Sequence, residues 1–177
     1  MNKTIGKTVE SIIAEEIETP VGKLLAAATE QGLCLLEFAD VEDRLKRHVS
    51  QLEKNFNTTI TKGESATIQQ LKTELSEYFN GERKSFDINL DYRGTEFQES
   101  SWKALLKIPY GETRSYKDQA IAINKPAAVR AVANANNRNK ISIVIPCHRV
   151  IGKNGSMTGY GGEIWRKEFL LKLEKAI

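Results

Sequence analysis

The sequence is poor in cysteine, and the positions of its two cysteines exclude several classes of protein. Cys34 and Cys147 lie 113 positions apart in a chain of 177 residues. This spacing offers neither a disulfide framework nor a Cys-x-x-Cys pair for zinc or redox chemistry, so we predict reduced thiols. The other histidine besides His148 is His48. It has no second ligand residue at metal-binding spacing, so we predict a surface or boundary histidine and no metal site.

Long apolar runs are also missing from the start of the chain. Residues 1–18 mix lysines with glutamates and contain neither a secretory signal nor a segment long enough to cross a membrane. We therefore predict a cytoplasmic protein without membrane contact.

Charge is distributed unevenly between the two halves of an otherwise ordinary globular composition. Residues 1–91 carry 11 Lys and Arg and 16 Asp and Glu, a net charge of −5, whereas residues 92–177 carry 15 and 7, a net charge of +8. A basic C-terminal half indicates an anionic partner, with nucleic acid the leading candidate and a merely solvated basic face the alternative. We place a linker at 91–94, which predicts an N-terminal domain over 1–91 and a C-terminal domain over 92–177.

The N-terminal half has the pattern of a small α/β domain. Residues 18–22 predict a hairpin turn, and residues 23–29 and 32–38 predict its two flanking strands. Apolar residues at helical spacing predict helices around 41–52 and 68–79, and alternation predicts another strand over 85–90. Cys34, among leucines, is expected to be a packed core thiol.

The C-terminal half has the pattern of a helix-turn-helix unit. Thr95 and Gln98 form a capping box before one helix, and Ser115 is a good N-cap for a helix over 116–123. A turn at 124–126 and a helix over 127–137 follow, which is the geometry of a DNA-binding helix-turn-helix.

The second helix of this unit is rich in alanine, with Arg130 as its single long projection. Few base-reading side chains are available, so we predict weak sequence specificity and docking in the minor groove. The alternative is an alanine-rich helix packed inside the domain, which Arg130 disfavours.

The most chemically suggestive segment is Pro-Cys-His-Arg, at 146–149, after an apolar run. Alternating Val and Ile predict a buried strand over 141–145, which Pro146 should end. Pro146 would also open a short helical turn with Cys147 just inside it. The helix start and the neighbouring His148 and Arg149 favour a thiolate nucleophile. The alternative is a buried structural cysteine.

Several motifs in this order resemble the O6-alkylguanine-DNA alkyltransferases, also called methylated-DNA-protein-cysteine methyltransferases. The matching segments are Ile145-Pro-Cys-His-Arg-Val150, Gly111-Glu-Thr-Arg-Ser-Tyr116, Pro126-Ala-Ala-Val-Arg130 with Asn134 and Asn139, and Gly159-Tyr160 with Lys167. The resemblance implies an RNase H-like α/β domain with a small antiparallel sheet, followed by a mostly α domain with a helix-turn-helix.

That resemblance implies a DNA repair protein that reacts once. Base flipping would present O6-alkylguanine, with O4-alkylthymine as a further candidate, to Cys147, which would take the alkyl group irreversibly. His148 would act as the base through water, Glu174 would orient it, and Asn139 would hold the preceding connection. Tyr116 would donate a proton to the purine and crowd the phosphate.

The remaining assignments follow from the same resemblance. Arg130 would fill the vacated base stack. The other DNA contacts would come from Ala128, Ala131 and Arg138. The guanine pocket would be lined by Tyr160, Gly161, Gly162 and the carbonyl of Val150, with Lys167 supporting the loop. Lys140, Gly161 and Glu163 depart from the family pattern and bear on the size of the pocket.

Three other functions remain to be compared with alkyl transfer. A non-enzymatic sensor of alkylated DNA would lack the reactive cysteine, which is present here. A cysteine hydrolase would leave the helix-turn-helix unexplained, and a transcription regulator would need more base-reading side chains. We expect a monomeric enzyme that acts on double-stranded DNA containing O6-alkylguanine and needs no metal or cofactor.

Overall fold

A computed structural model describes residues 11–177, and its N-terminal part is built on a four-stranded sheet. The strands are β1 Ile12–Thr19, β2 Gly22–Thr29, β3 Gly32–Phe38 and β4 Ile60–Lys62, arranged in the order β3-β2-β1-β4. β1, β2 and β3 pair antiparallel, whereas β4 pairs parallel with β1. The predicted small antiparallel sheet with helices is therefore present, and the parallel β4 makes it a mixed sheet.

Two strands of this sheet, β1 and β4, were not predicted. The turn around 18–22 joins β1 to β2. The prediction that the strands over 23–29 and 32–38 flank this turn is therefore wrong for the strand over 32–38. Those two strands do exist, but a tight turn at 30–31 connects them. β1 buries Ile12, Ala14 and Ile17 and leaves its three glutamates more exposed. One side of this strand is therefore packed on the core, although two less buried residues in a row interrupt the alternation between Ala14 and Ile17.

Two helices accompany the sheet close to the predicted positions. α1 covers Glu42–Phe56 and α2 covers Ala66–Phe79. The hydroxyl of Ser65 accepts the backbone N–H of Ile68 and so caps α2. Helix α2 buries Ile68 and Leu71 in the main hydrophobic core.

The strand predicted over 85–90 is wrong. Only Leu90 pairs, as a single parallel bridge to Leu33. The N–H of Asp87 donates to a side-chain oxygen of Glu74 at 3.0 Å instead of to a neighbouring strand. The alternating sequence pattern predicts that this N–H bonds to a neighbouring strand, whereas a glutamate side chain accepts it.

The C-terminal part is mostly helical, as predicted. Its helices are α3 Glu96–Leu106, α4 Tyr116–Ala122, α5 Val129–Asn137 and α6 Ile164–Leu173. Two very short strands, β5 Arg114–Ser115 and β6 Val150–Ile151, pair parallel in a separate sheet. The capping box of Thr95 and Gln98 is present, and Ser115 caps α4.

Buried polar contacts fix the helix-turn-helix formed by α4 and α5. Gln119 of α4 and Asn136 of α5 exchange two amide hydrogen bonds, at 2.8 and 2.7 Å. The indole N–H of Trp102 on α3 donates to the carbonyl of Ala135 at 2.8 Å. Because these hydrogen bonds are buried, they fix the orientation of α5 relative to α3 and α4, and the opposite side of α5 stays exposed.

Strand β3 joins the two parts of the chain. All seven of its residues are buried. Its outer edge pairs with Leu90 and with Ile141, so chain segments from both sides of α3 cover it. Covering an edge in this way protects its backbone groups from other partners. It also places the connection that precedes Cys147 directly on the sheet. Within 11–177, no helix combines the length and apolarity needed to cross a membrane.

A second link between the two parts is the buried guanidinium of Arg166 on α6. Arg166 donates to the carbonyl of Val21 at 2.8 Å, to the carbonyl of Gly162 at 3.3 Å, and to both carboxylate oxygens of Asp40 at 2.8 and 2.7 Å. Its guanidinium carbon lies 4.4 Å from the centre of the Phe38 ring.

Replacing this guanidinium should destabilise the whole fold. We expect Arg166→Met to lower the free energy of unfolding by roughly 2–3 kcal/mol, because buried carbonyls lose charged donors. Urea denaturation measures this. Arg114→Met is the matched control, since Arg114 pairs with Glu112 at the surface, and it should change stability by less than about 0.5 kcal/mol. Equal effects of the two substitutions would contradict this account of Arg166.

Candidate active site

The segment before the cysteine is a buried turn, so the strand predicted over 141–145 is wrong. Only Ile141 pairs with β3. Ile143 has a φ of 71°, and the N–H of Val144 donates to the carbonyl of Ser142 at 2.8 Å, which is a γ-turn. A β-branched residue rarely adopts a positive φ, so this turn stores backbone strain beside the site.

Cys147 begins a 3-10 helix over Cys147–Arg149 directly after Pro146, which is the short helical turn that the sequence predicts. The thiol is buried, with 8% of the residue exposed. The side-chain amide of Asn139 donates to Sγ at 3.3 Å and to the carbonyl of Ile145 at 2.9 Å. Its oxygen accepts the N–H of Ile141 at 3.0 Å. Asn139 thus braces the turn and touches the sulfur.

The expectation that the site favours a thiolate is corrected by this burial. Burial raises the pKa of the Cys147 thiol above its ordinary value, and the amide of Asn139 and the charge of Arg44 only partly oppose it. A three-residue helix and its neighbouring side chains do not outweigh the loss of water. The sulfur is therefore a thiol in this state, and its proton has to be removed when it reacts.

His148 has the arrangement of a base. It is fully buried, and its Nε2 lies 2.8 Å from Oε1 of Glu174. Burial lowers the pKa of His148, and the neighbouring carboxylate only partly offsets this. A neutral imidazole that donates from Nε2 leaves Nδ1 as an acceptor. Nδ1 has no hydrogen-bond partner among the described residues.

Glu174 is the centre of the polar contacts around the site. Its Oε1 accepts hydrogen bonds from Tyr78 at 2.7 Å and from Arg149 at 2.9 Å, besides the contact with His148. Its Oε2 accepts from Nε of Arg149 at 2.9 Å. Burial alone would raise the pKa of Glu174, but His148 and Arg149 outweigh it and lower the pKa to about 2. The carboxylate is therefore ionised.

Sequence reasoning missed two of these partners. The sequence predicts Arg149 to be a cation that activates the thiol. In the structure, its guanidinium binds Glu174 and donates to the carbonyl of Ile108 at 2.7 Å. Tyr78 lies on the buried face of α2, where the sequence pattern predicts an ordinary core residue. The one feature of the sequence that could have indicated this contact is the tyrosine hydroxyl, because a buried hydroxyl needs a hydrogen-bond partner.

A glycine-rich loop closes one side of the site. Tyr160 is 9% exposed, and its ring packs edge-on against Phe38 with 6.3 Å between centroids. A side chain at Gly161 would overlap the guanidinium of Arg44, and one at Gly162 would overlap the ring of Phe38. The hydroxyl of Tyr160 is buried without a partner among the described residues. The two glycines therefore let the loop lie directly on the N-terminal domain.

Glu163, one of the departures from the family pattern, occupies a backbone conformation suited to glycine. Its φ is 76° and its ψ is 144°, a region that costs a non-glycine residue on the order of 1–3 kcal/mol. The indole of Trp165 donates to its carboxylate at 2.8 Å. The substitution therefore leaves the turn into α6 in place and adds strain to it.

Hydrogen bonds to backbone carbonyls anchor this loop further. Lys167 donates to the carbonyl of Val150 at 2.6 Å and to that of Thr158 at 3.3 Å, and burial lowers its pKa to about 8. The hydroxyl of Tyr116 donates to the carbonyl of Thr158 at 3.1 Å. Gly159 has a φ of 82°, and a side chain there would press on that hydroxyl. Tyr116 and Lys167 thus meet at the same loop.

The residues predicted to contact DNA lie at the surface of α5 and its ends. Arg130, Ala131 and Arg138 are exposed, and Ala128 is half-buried where the helix begins. The alternative prediction, an alanine-rich helix packed inside the domain, is therefore wrong, because one side of α5 is exposed. Its buried face carries Val132 and the residues that contact α3 and α4.

A buried network that sequence reasoning missed holds α5 and Asn139 to the N-terminal domain. Glu37 is fully buried in β3 and accepts from Arg44 at 3.0 Å and from His48 at 2.7 Å. Arg44 also donates to the carbonyls of Asn137 at 2.7 Å and Asn139 at 3.1 Å. The prediction of a surface or boundary His48 is wrong. A single glutamate inside an apolar strand was the available signal.

The lowered pKa of His148 gives a test of its protonation. Because burial lowers the pKa of His148, the imidazole should be neutral at pH 7, with its proton on Nε2, and should gain a second proton only at a lower pH than an ordinary histidine. Long-range ¹H–¹⁵N correlation spectra measure the tautomer. The variant His48→Gln removes the signals of the only other histidine. An imidazolium spectrum at pH 7 would contradict the assignment of Nδ1 as the acceptor.

Two family models match the chain. The one described as "6-O-methylguanine DNA methyltransferase, ribonuclease-like domain" matches residues 12–92. The one described as "6-O-methylguanine DNA methyltransferase, DNA binding domain" matches residues 96–176.

Individual relatives are similar over nearly their whole length. A methylated-DNA-protein-cysteine methyltransferase of Methanosarcina barkeri is 48% identical over 160 residues, which cover 90% of this chain and 94% of that protein. The constitutive enzyme of that name from Bacillus subtilis is 45% identical, with 89% and 92% covered. A crystal structure of Mycobacterium tuberculosis OGT in complex with DNA has a TM-score of 0.80 at 43% identity and covers 93% of both chains. The chain therefore belongs to the 6-O-methylguanine DNA methyltransferase family, the methylated-DNA-protein-cysteine methyltransferases.

Proposed function

We propose that this protein repairs DNA by moving the alkyl group of O6-alkylguanine to Sγ of its own Cys147, in one irreversible transfer per molecule. The observation that carries the proposal is the chain of contacts around the sulfur. Asn139 donates to Sγ, and the adjacent His148 is bound to the ionised Glu174. Such an arrangement suits a nucleophile that is deprotonated only when it reacts.

The transfer is a displacement at the alkyl carbon. An electron pair of the sulfur forms the bond to carbon, and the bond between carbon and O6 breaks with its electrons going to the purine. The thiol proton passes to Nδ1 of His148 through a water molecule. Tyr116 protonates the departing purine, which leaves as ordinary guanine. Glu174 stabilises the imidazolium that forms, without taking its proton. No metal or cofactor has a role in these steps.

Access to the lesion requires the base to leave the duplex. Extrusion costs a few kcal/mol, and less where alkylation has weakened the pairing. We assign Arg130 to the vacated stack because its side chain projects from the exposed face of α5. The flipped base would lie against Tyr160, Gly161 and Gly162, with the carbonyl of Val150 as an acceptor. That carbonyl already accepts from Lys167, which fixes its direction.

We further propose that one protein molecule docks α5 in the minor groove. The exposed Ala131 and the half-buried Ala128 and Ala133 allow close approach, and the scarcity of base-reading side chains fits a groove with a degenerate pattern. We keep the division into domains at 91/92, because one family model matches residues 12–92 and another matches 96–176. The cytoplasm is the proposed compartment, because a thiol acceptor must stay reduced.

Removing the acceptor sulfur should separate binding from repair. We expect Cys147→Ala to abolish alkyl transfer while it binds an O6-methylguanine duplex with affinity close to that of the unchanged protein. A radiolabelled-methyl transfer assay and a gel-shift titration measure the two properties. Cys34→Ala is the matched control and should retain stoichiometric transfer, because Cys34 lies in the core and burial raises its pKa to about 12. Surviving transfer in Cys147→Ala would overturn the assignment.

Arg130→Ala should slow repair in duplex DNA by roughly tenfold or more, since losing about 1.4 kcal/mol of the flipping energy costs one order of magnitude. Reaction with a free O6-alkylguanine base should keep its rate, because no stack has to be filled. Single-turnover kinetics at saturating DNA measure both reactions. Arg138→Ala, a matched exposed arginine just past α5, should weaken DNA affinity and leave the saturated rate unchanged. Equal losses with duplex and free base would contradict the role of Arg130.

A further inference from the structure

A wide groove runs between the N-terminal and C-terminal parts, apart from the cysteine site. It encloses about 1010 Å³, and Cys147, His148 and Tyr160 are not among its lining residues. One wall is the outer face of α1 from Lys46 to Asn55. The other is formed by the start of α3 and the end of α5, up to Lys140.

The residues that line this groove have polar side chains, apart from Gly94, and the charged ones are of one sign. Its Lys and Arg side chains are Lys46, Arg47, Lys54, Arg93, Arg138 and Lys140, and no carboxylate lines it. Within residues 11–177, none of these six forms an ion pair at 4.0 Å or less. A lining without any apolar side chain does not suit an apolar small molecule, whose pockets are lined mostly by hydrophobic and aromatic side chains.

Some of these cations are positioned by aromatic rings. The guanidinium of Arg93 lies 3.9 Å from the centre of the Phe56 ring, and the ammonium of Lys140 lies 5.5 Å from that of Trp102. Burial lowers the pKa of Lys140, and the charges of Arg138 and Arg44 lower it further. Mutual repulsion between cations held without counter-charges is relieved when an anion enters the groove.

The groove continues the exposed face of α5. Asn134 and Asn137 line it, and they follow Arg130 at spacings of four and seven residues, which places all three on one side of the helix. Along α1, the residues from Lys46 to Lys54 span about 12 Å at ~1.5 Å per residue. That length corresponds to three to four base-pair steps along the axis of DNA at ~3.4 Å each.

We propose that this groove binds the phosphodiester backbone of DNA that flanks the lesion, as a second contact beyond the helix-turn-helix. The proposal rests on the DNA repair function above. The cations would hold phosphates, and the amides and hydroxyls of Ser50, Gln51 and Gln98 would reach phosphate or sugar oxygens. Such contacts position a protein without reading sequence.

The experiment measures the salt dependence of binding to unmodified duplex DNA. The groove variant carries Lys46→Gln, Arg47→Gln and Lys54→Gln, all exposed positions on α1. The matched control carries Lys62→Gln, Lys84→Gln and Lys175→Gln, exposed positions that do not line the groove, so both variants lose the same charge. Each phosphate contact contributes about 0.9 to the slope of log affinity against log salt. We expect the groove variant to lose up to about 3 from that slope and the control to keep it.

The outcomes separate this proposal from the proposed function. Equal slopes in the groove variant and the control would overturn the second contact and leave the groove to another anionic partner, such as an acidic protein segment. Because the titration uses unmodified DNA, it does not depend on alkyl transfer. Transfer from a free O6-alkylguanine base, measured on the same samples, should be unchanged in both variants. Absence of that transfer in the unsubstituted protein would contradict the proposed function while the slopes still decide the groove.

Discussion

The burial of one carboxylate, Glu174, is the constraint on which the site depends. An ionised carboxylate is stable without water only if charged and neutral donors surround it. Tyr78 comes from the N-terminal domain, and His148 and Arg149 come from the helix that starts at the cysteine. Satisfying Glu174 therefore fixes the imidazole, the cysteine helix and the position of α6 against α2 at once. The catalytic geometry and the contact between domains have the same origin.

A buried thiol beside a buried neutral base explains how the protein can remain unreactive until it meets its substrate. Burial keeps the proton on Cys147 and the positive charge off His148. In the proposed transfer, sulfur loses its proton as it attacks the alkyl carbon, and Glu174 stabilises the resulting imidazolium. Asn139 contributes from the other side, because its amide faces the sulfur and braces the strained turn at Ile143. Arg44 holds the backbone of Asn139, so the N-terminal domain supports the nucleophile from a distance.

Much of this could be predicted from the sequence, and the failures have physical reasons. Capping signals identified α3 and α4 because they act locally, and the Pro-Cys-His-Arg motif indicated the short helical turn that begins at Cys147. The strand at 141–145 was wrong because buried turns and buried strands can share an alternating apolar pattern. The thiolate was wrong because burial, which only tertiary structure reveals, outweighed the neighbouring cations. Tyr78 and Glu37 were missed because their partners lie far away in the chain, and the groove beside α1 exists only where two domains meet.

The most direct test of the account is an intact-protein mass spectrum after brief mixing with a duplex that contains one O6-methylguanine, followed by peptide mapping. The account predicts that each protein molecule gains one methylene, that the gain lies on the peptide containing Cys147, and that the peptide containing Cys34 is unchanged. Tight binding to the lesion without any gain in mass would contradict alkyl transfer and indicate a sensor of damaged DNA.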